Sequence, residues 1–469
     1  MKIAFIFGKG IDGCGVTKGA HIYEDWLRKN GHDTIVVTFN NGQKFARAKY
    51  TIWKGPLYTI EETSLQQEID SIATIVDSCD IAIFHSHPTR KQFAYVNRYR
   101  EFVTKIKNPI VVIHDHAITK TNINAVPQMA ELFSMADIGV IQSLDGFSKK
   151  AYTRVDPGIS DRLIENPIWV FPNQYDQYRK SFEDRRKHFM YIGRMSSIKD
   201  PAMIPRIEPY LNDWELSLIG CEKSIASVTR LSESLETNPS PYVPEFIDKI
   251  CIHNLNTAGN YNTPNLERKK INPTINAYCS YKYEFGMSEL GSSFASWCGY
   301  RLKDNSEYGH RMEYTMIESY LLTLPVISVD FSKNAYSPEG KLWGEYDCTL
   351  ISEARQEKEL ADRLKSIQKN EWNDRTAACQ ELIYKFNNID VIGQAYLDFI
   401  IAKGKRNNKI NFIDAIHDYF PSAAKYRNDG KILVTSANGV VNKIPAILNE
   451  GRQTVLKEIP QSTTLDSFL

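Results

Sequence analysis

The chain lacks several features that would assign it quickly. None of its eight cysteines, at positions 14, 79, 221, 251, 279, 298, 348 and 379, falls in a C-x-x-C pair. That spacing argues against a structural zinc ribbon and for a reducing compartment. No run reaches the roughly 18 apolar residues of a membrane-spanning helix. The apolar start, KIAFIF, flows into glycines and is too short for a signal peptide. Neither sign of charge is in excess: 57 Lys and Arg against 56 Asp and Glu leave a formal net charge of +1. A nucleic-acid partner would have to be met by a local basic face rather than by the charge of the whole. A cytoplasmic protein with no membrane attachment is the expectation.

What is present is alternation. A chain of 469 residues is too long for one core, so two domains are expected. KIAFIF, TIVVTF, DIAIFH, PIVVIH and IGVIQ read as strands, with IWVF as a last one near Pro172. Between them HIYEDWLRKNGH, stopped by Gly31, SLQQEIDSIATIVDSC and KQFAYVNRYREFVTKI read as helices. HFMYIGR opens a second series with WELSLIG, INAYCSY and LPVISVD as strands. Its helices are RMEYTMIESYLLT, ELADRLKSIQK, the stretch 373–385 and a long last one, DVIGQAYLDFIIAKG, able to cross back toward the first domain. Continuous apolar runs between helices mean parallel sheets covered on both faces, an α/β architecture. The expected division is 1–172 and 173–403, two doubly wound Rossmann-like domains facing a cleft, with a C-terminal extension over 404–469. Ligands of such sheets bind beyond the carboxyl ends of the strands.

The first such end is GKGIDGCGVTK, residues 8–18. Gly8-Lys9-Gly10-Ile11-Asp12-Gly13 matches G-x-G-x-x-G, but the second strand ends Thr38-Phe39-Asn40, without the carboxylate a dinucleotide ribose wants. The P-loop pattern fails because Gly15 is followed by Val16. Two readings stay open: a tight strand-to-helix turn, or a bare backbone platform against a phosphate or sugar.

Two histidine pairs end neighbouring strands, His85-Ser86-His87 and His114-Asp115-His116. Residues i and i+2 of an extended segment share a face. The pairs can be zinc ligands with Asp115 as a base, hydrogen-bonded histidines at strand ends, or contacts to a polyol or phosphate. The third reading makes Asp115 the carboxylate nearest the chemistry.

In the second half, Arg194 and Lys199 follow a strand and suit a diphosphate. Glu318 lies on a helix seven residues before Pro325, which opens a strand. This resembles the donor helix of retaining nucleotide-sugar glycosyltransferases of the GT-B fold, whose glutamate accepts both ribose hydroxyls. In that family a second glutamate lies eight residues earlier; here that position is His310, and the nearest earlier acid is Glu313.

GIDGCGVTK, HDH, IGR followed by Lys199, and MEYTMIE with Pro325 resemble, in order and approximate placement over residues 1 to 400, the DNA α-glucosyltransferase family of T-even phages. The resemblance implies a GT-B fold and transfer of a sugar from a UDP-sugar to the hydroxymethyl group of 5-hydroxymethylcytosine in double-stranded DNA, with retention. It implies Arg194 and Lys199 on the diphosphate, Glu318 on the ribose, Gly13 and Gly15 lining the donor, and Glu313 supporting the donor side. Asp115 would be the catalytic carboxylate, flanked by His114 and His116. The UDP-sugar would be a co-substrate, with no tightly bound cofactor and no metal required.

Candidates for a DNA face are Arg90, Lys91, Arg98 and Arg100, interleaved with Phe93, Tyr95 and Tyr99, and then Lys149 and Lys150. The alternative is an amphipathic helix with solvated arginines. The terminal TTLDSFL looks like the tails with which phage proteins hold a sliding clamp, with Leu465, Phe468 and Leu469 as anchors.

Overall fold

A computed structural model describes residues 1–8, 15–39, 53–61, 63–85, 93–114, 136–141, 157–165, 168–193, 201, 203–220, 250–253, 275–278, 283–298, 314–324, 326–328, 349–350 and 357–404. It divides into two compact units. One is Met1–Trp169 with Glu307–Gly309 and Ile389–Leu469; the other is Val170–Ser306 with His310–Asn388. The helix Ile389–Lys403 therefore groups with the first unit. Among the described residues no helix is long and apolar enough to cross a membrane.

Among the described residues the first unit holds seven strands: β1 (Lys2–Phe7), β2 (Asp33–Phe39), β3 (Leu57–Ile60), β4 (Ile81–His85), β5 (Ile110–His114), β6 (Ile138–Ile141) and β7 (Leu163–Glu165). They lie in the order β3-β2-β1-β4-β5-β6-β7, every pair parallel. The strand order reverses between β1 and β4, the switch point of a doubly wound sheet. The helices are α1 (Gly15–Lys29), α2 (Gln66–Asp77) and α3 (Phe93–Thr104). Helix α1 begins at Gly15, directly after the glycine segment, and ends where Gly31 takes φ +79°, a backbone conformation that favours glycine.

Period-two alternation gives the two faces of β1 different neighbours. Ala4 and Ile6 join the aliphatic core with Val37, Phe84, Tyr99 and Phe102. Phe5 and Phe7 point the other way, into a cluster with Tyr23, Trp53 and His85. Two expectations change here. The last strand of this sheet is Leu163–Glu165, not IWVF; Val170 makes only a single bridge, to Asn388, and Trp169 stacks on Tyr23. Tyr99 is no part of a DNA face: it is 1% exposed and packs edge-on against Phe39.

Among its described residues the second unit also holds seven parallel strands: β8 (His188–Ile192), β9 (Glu215–Ile219), β10 (Ile250–His253), β11 (Ile275–Tyr278), β12 (Ala295–Trp297), β13 (Val326–Ser328) and β14 (Thr349–Leu350). Their order is β10-β11-β9-β8-β12-β13-β14, with the reversal between β8 and β12. Its helices are α4 (Met203–Ile207), α5 (Tyr283–Ser292), α6 (Tyr314–Leu321), α7 (Glu357–Ser366) and α8 (Lys369–Phe386). The last helix among the described residues, Ile389–Lys403, is α9.

At the start of β8 sits a buried His188. Its Nε2 meets Ser217 Oγ at 2.9 Å and its Nδ1 meets Ser293 Oγ at 2.8 Å. Burial, with the nearby Arg186 adding to it, pulls the imidazole down from 6.5 to about 3. Burial alone does the same to His85. Between these values and 6.5 the unfolded chain takes up protons that the folded chain refuses, so stability falls as pH falls. At pH 5 each such histidine costs roughly 2 kcal/mol. We expect the urea midpoint to drop between pH 7 and pH 5, and the drop to shrink in His188→Gln. An equal drop in the variant would contradict this.

Candidate functional site

In the first unit the carboxyl ends of three adjacent central strands carry a row of flat rings. Phe7, His85 and His114 are register partners on β1, β4 and β5. Phe7 stacks on His85 with centroids 5.1 Å apart and planes at 15°; His85 and His114 lie 4.4 Å apart at 39°. Both imidazoles are buried. The row spans the switch point between β1 and β4, where doubly wound sheets hold ligands. There Gly8 N–H donates to the His85 carbonyl at 3.2 Å as the chain leaves the sheet.

The row is closed by α9. Tyr396, buried with its phenol pushed up by burial, lies with its hydroxyl 2.9 Å from His114 Nε2. The imidazole tautomer sets the direction: with its proton on Nδ1 the phenol donates to Nε2, and with it on Nε2 the phenol oxygen accepts. Tyr396 is itself held edge-on by Trp169 and Tyr23. The close fit is set by Gly393, where a Cβ would lie 2.8 Å from the Trp26 indole on α1.

In the second unit the candidate carboxylate is Glu318, 5% exposed and in the middle of α6. Its Oε1 accepts from Tyr283 Oη at 2.8 Å and from Tyr175 Oη at 3.2 Å, and the two phenol oxygens are 2.9 Å apart. Burial and the Glu318 charge raise both phenols well above their ordinary value. The carboxyl end of α6 is also tied down. Arg179 Nε donates to the Leu321 carbonyl at 2.6 Å, and Arg185 donates to the Leu322 carbonyl and to Thr323 Oγ1. Guanidinium groups at a helix C-terminus satisfy orphan carbonyls and complement the dipole. Ser319 Oγ meets Ser296 Oγ of β12 at 3.0 Å. At the end of β8, Gly193 takes φ +149° while its N–H donates to the Ile219 carbonyl at 2.7 Å.

Of the residues singled out from sequence, the structure describes His85, His114, Gly15, Glu318 and Arg98 with their surroundings. Gly15 is the first residue of α1, a position whose N–H points away from the helix. Arg98, half-buried on α3, donates Nη1 to the Ser64 carbonyl, so part of its guanidinium serves the fold. Arg100 lies on α3, with its side chain outside the described residues. Asp115, His116, Gly13, Arg194, Lys199, Glu313, Arg90, Lys91, Lys149, Lys150, Leu465, Phe468 and Leu469 lie outside the described residues. Asp115 follows the described His114, and Arg194 follows the described Gly193. Among the described residues no group of three His, Cys, Asp or Glu side chains gathers as for a metal. Tyr175, Tyr283 and Tyr396 were not anticipated; each reaches its partner from at least 35 residues away.

Two parallel, doubly wound seven-stranded sheets are the GT-B glycosyltransferase architecture, and comparison of folds agrees. A solved α-glucosyltransferase in complex with UDP-glucose and DNA containing an abasic site matches with a TM-score of 0.63 at 18% identity, over 86% of this chain and 99% of that one. The Anabaena protein HepE in complex with UDP matches with a TM-score of 0.54 at 12% identity, over 86% of this chain and 100% of that one. In sequence, the DNA α-glucosyltransferase family profile matches residues 14–154, so the resemblance seen in the motifs is found there independently. The DNA α-glucosyltransferase of Enterobacteria phage T4 is 32% identical over 148 residues, 30% of this chain and 36% of that protein. The match thus spans about a third of the relative's length.

Removing the Tyr396 hydroxyl deletes a buried bond without changing the packing. Tyr396→Phe should lower stability by about 1–2 kcal/mol, read as a lower urea midpoint at unchanged m-value. Gly393→Val, which forces α9 off the Trp26 indole, should cost more, about 2–4 kcal/mol. A valine variant as stable as the parent would contradict the close packing of α9 on α1.

Proposed function

We propose that the protein is a retaining glycosyltransferase that moves a sugar, glucose or a pentose such as arabinose, from a UDP-sugar to the hydroxymethyl group of 5-hydroxymethylcytosine in phage DNA. The observation that carries this reading is the DNA α-glucosyltransferase match over residues 14–154, which contains Gly15 and the His114-Asp115-His116 triplet. The GT-B fold supports it, as do the UDP-glucose and DNA held by the solved α-glucosyltransferase.

On this reading the second unit holds the donor. Arg194 and Lys199 meet the charge that develops on the departing diphosphate. Glu318 accepts the ribose hydroxyls and Glu313 supports the sugar side. This set needs neither a tightly bound cofactor nor a metal; the UDP-sugar is a co-substrate. The first unit holds the acceptor. Asp115 takes or orients the proton of the hydroxymethyl group, a poor nucleophile until an acceptor draws on that proton. His116 flanks it. His114 acts by position: its ring is buried and bonded to Tyr396, so it holds the backbone that presents Asp115.

A cytosine in a duplex must be extruded, at a cost of a few kcal/mol. Phosphate contacts from Arg90, Lys91, Arg98, Arg100, Lys149 and Lys150 offset that cost. The tail residues Leu465, Phe468 and Leu469 tether the enzyme to a sliding clamp in the host cytoplasm, raising local DNA concentration for a chain of net charge +1.

The test is to incubate hydroxymethylcytosine DNA with a panel of UDP-sugars and weigh the released nucleosides by mass spectrometry. A mass gain of one hexose or one pentose on hydroxymethylcytosine is expected. Sugar appearing only on already glycosylated bases, or only on a glycan, would replace this reading. Asp115→Ala should lower turnover by about 10²–10⁴-fold with UDP binding near wild type. Arg194→Ala should weaken UDP binding by about 10–100-fold as well. Full activity in both variants would remove the site assignment.

A further inference from the structure

We propose that Tyr175 and Tyr283 are positioning residues that hold Glu318 for the donor ribose, and that they set how strongly the enzyme prefers a nucleotide carrying ribose hydroxyls. The proposal rests on the reading of Glu318 as the ribose carboxylate.

Three elements converge on one carboxylate oxygen. Tyr175 comes from the 3₁₀ turn Pro172–Tyr178, Tyr283 is the first residue of α5, and Glu318 lies in α6. The oxygen triangle has edges of 2.8, 2.9 and 3.2 Å. Three edges are shared by two phenol protons, so at most two carry a hydrogen bond at once. The shortest edge, Tyr283 to Oε1, is the one a charge-assisted bond takes. Tyr175 supplies the other with its own proton, either directly onto Oε1 or onto Tyr283 Oη.

A glutamate side chain loses rotamer entropy when a ligand immobilises it. Here the protein has already fixed it: Oε1 is held by two rigid phenols, and the helix that carries it is tied by Arg179, Arg185 and Ser296. A ribose diol then binds a carboxylate whose plane is set beforehand, which is how preorganisation raises affinity. A merely structural role, satisfying a buried acid, would treat every nucleotide alike. Positioning acts only on a ligand that has ribose hydroxyls.

Calorimetric titration of the full-length protein with UDP and with 2′,3′-dideoxy-UDP separates the two. The wild type should prefer UDP by about tenfold or more, the worth of hydrogen bonds to a charged group. Glu318→Gln should abolish most of that preference. Tyr283→Phe should reduce it severalfold while affinity for dideoxy-UDP and the thermal midpoint stay near wild type; Tyr175→Phe, losing the longer bond, should reduce it less. Should Tyr283→Phe fail to fold, Tyr175→Phe carries the same comparison. Equal weakening of both ligands, or full preference retained in the phenylalanine variants, overturns the proposal while Glu318 keeps its role. Equal affinity of the wild type for the two ligands overturns the ribose reading of Glu318 and the positioning role together.

Discussion

A parallel strand pair cannot be closed by a tight turn. Each strand must be followed by a crossover before the next can pair, so every strand of such a sheet ends at the same edge. That constraint acts twice in this chain, once in each unit. In the first it brings Phe7, His85 and His114 side by side, although they are separated by tens of residues in sequence. In the second it sets Gly193 at the end of β8 and delivers the chain from β12 into the helix that carries Glu318.

The same constraint made much of the fold legible. Strands buried on both faces must be apolar throughout, and KIAFIF, TIVVTF, DIAIFH, PIVVIH, HFMYIG and WELSLIG all appear as central strands. The strands that escaped notice are mostly short or at the margins: Leu57–Ile60, Leu163–Glu165, Ile250–His253, Ala295–Trp297 and Thr349–Leu350. An edge strand such as Leu57–Ile60 is paired on one side only, and Leu57 is exposed, so no continuous apolar run marks it. IWVF misled in the opposite direction. Its apolar residues are buried by rings, with Trp169 stacked on Tyr23 at 5.0 Å, rather than by a ladder of hydrogen bonds. Burial is what periodicity reports; the kind of neighbour is not.

The candidate site was legible in its histidine and its carboxylate and silent in its tyrosines. His114 and Glu318 stand out because their types and their places at strand ends or before a proline carry chemical meaning. Tyr396, Tyr175 and Tyr283 do not, because a tyrosine on a helix reads as packing until the fold shows where its hydroxyl ends. The segment from Thr89 to Phe102 makes the same point for surfaces. Its aromatics and arginines interleave as a nucleic-acid face would, yet Tyr99 lies in the core with Phe102, and Arg98 spends an N–H on the Ser64 carbonyl. Spacing of three or four along a helix sorts residues onto faces without saying which face meets a partner.

One apparent conflict in the proposed donor site is electrostatic. A transferase that stabilises a departing diphosphate wants positive potential around it, and a buried glutamate supplies the opposite sign. The surroundings of Glu318 reduce that conflict. Two phenol protons concentrate on Oε1, and the charges of Arg179 and Arg185 sit at the carboxyl end of the same helix, where its dipole is negative. Glutamine at this position would remove the charge, but its amide could offer only its carbonyl oxygen as an acceptor to hydroxyl groups. A carboxylate accepts at both oxygens. With one oxygen committed to the phenols, the retained charge lets the group act purely as an acceptor, at an electrostatic cost that neighbouring donors and the helix-end cations partly offset.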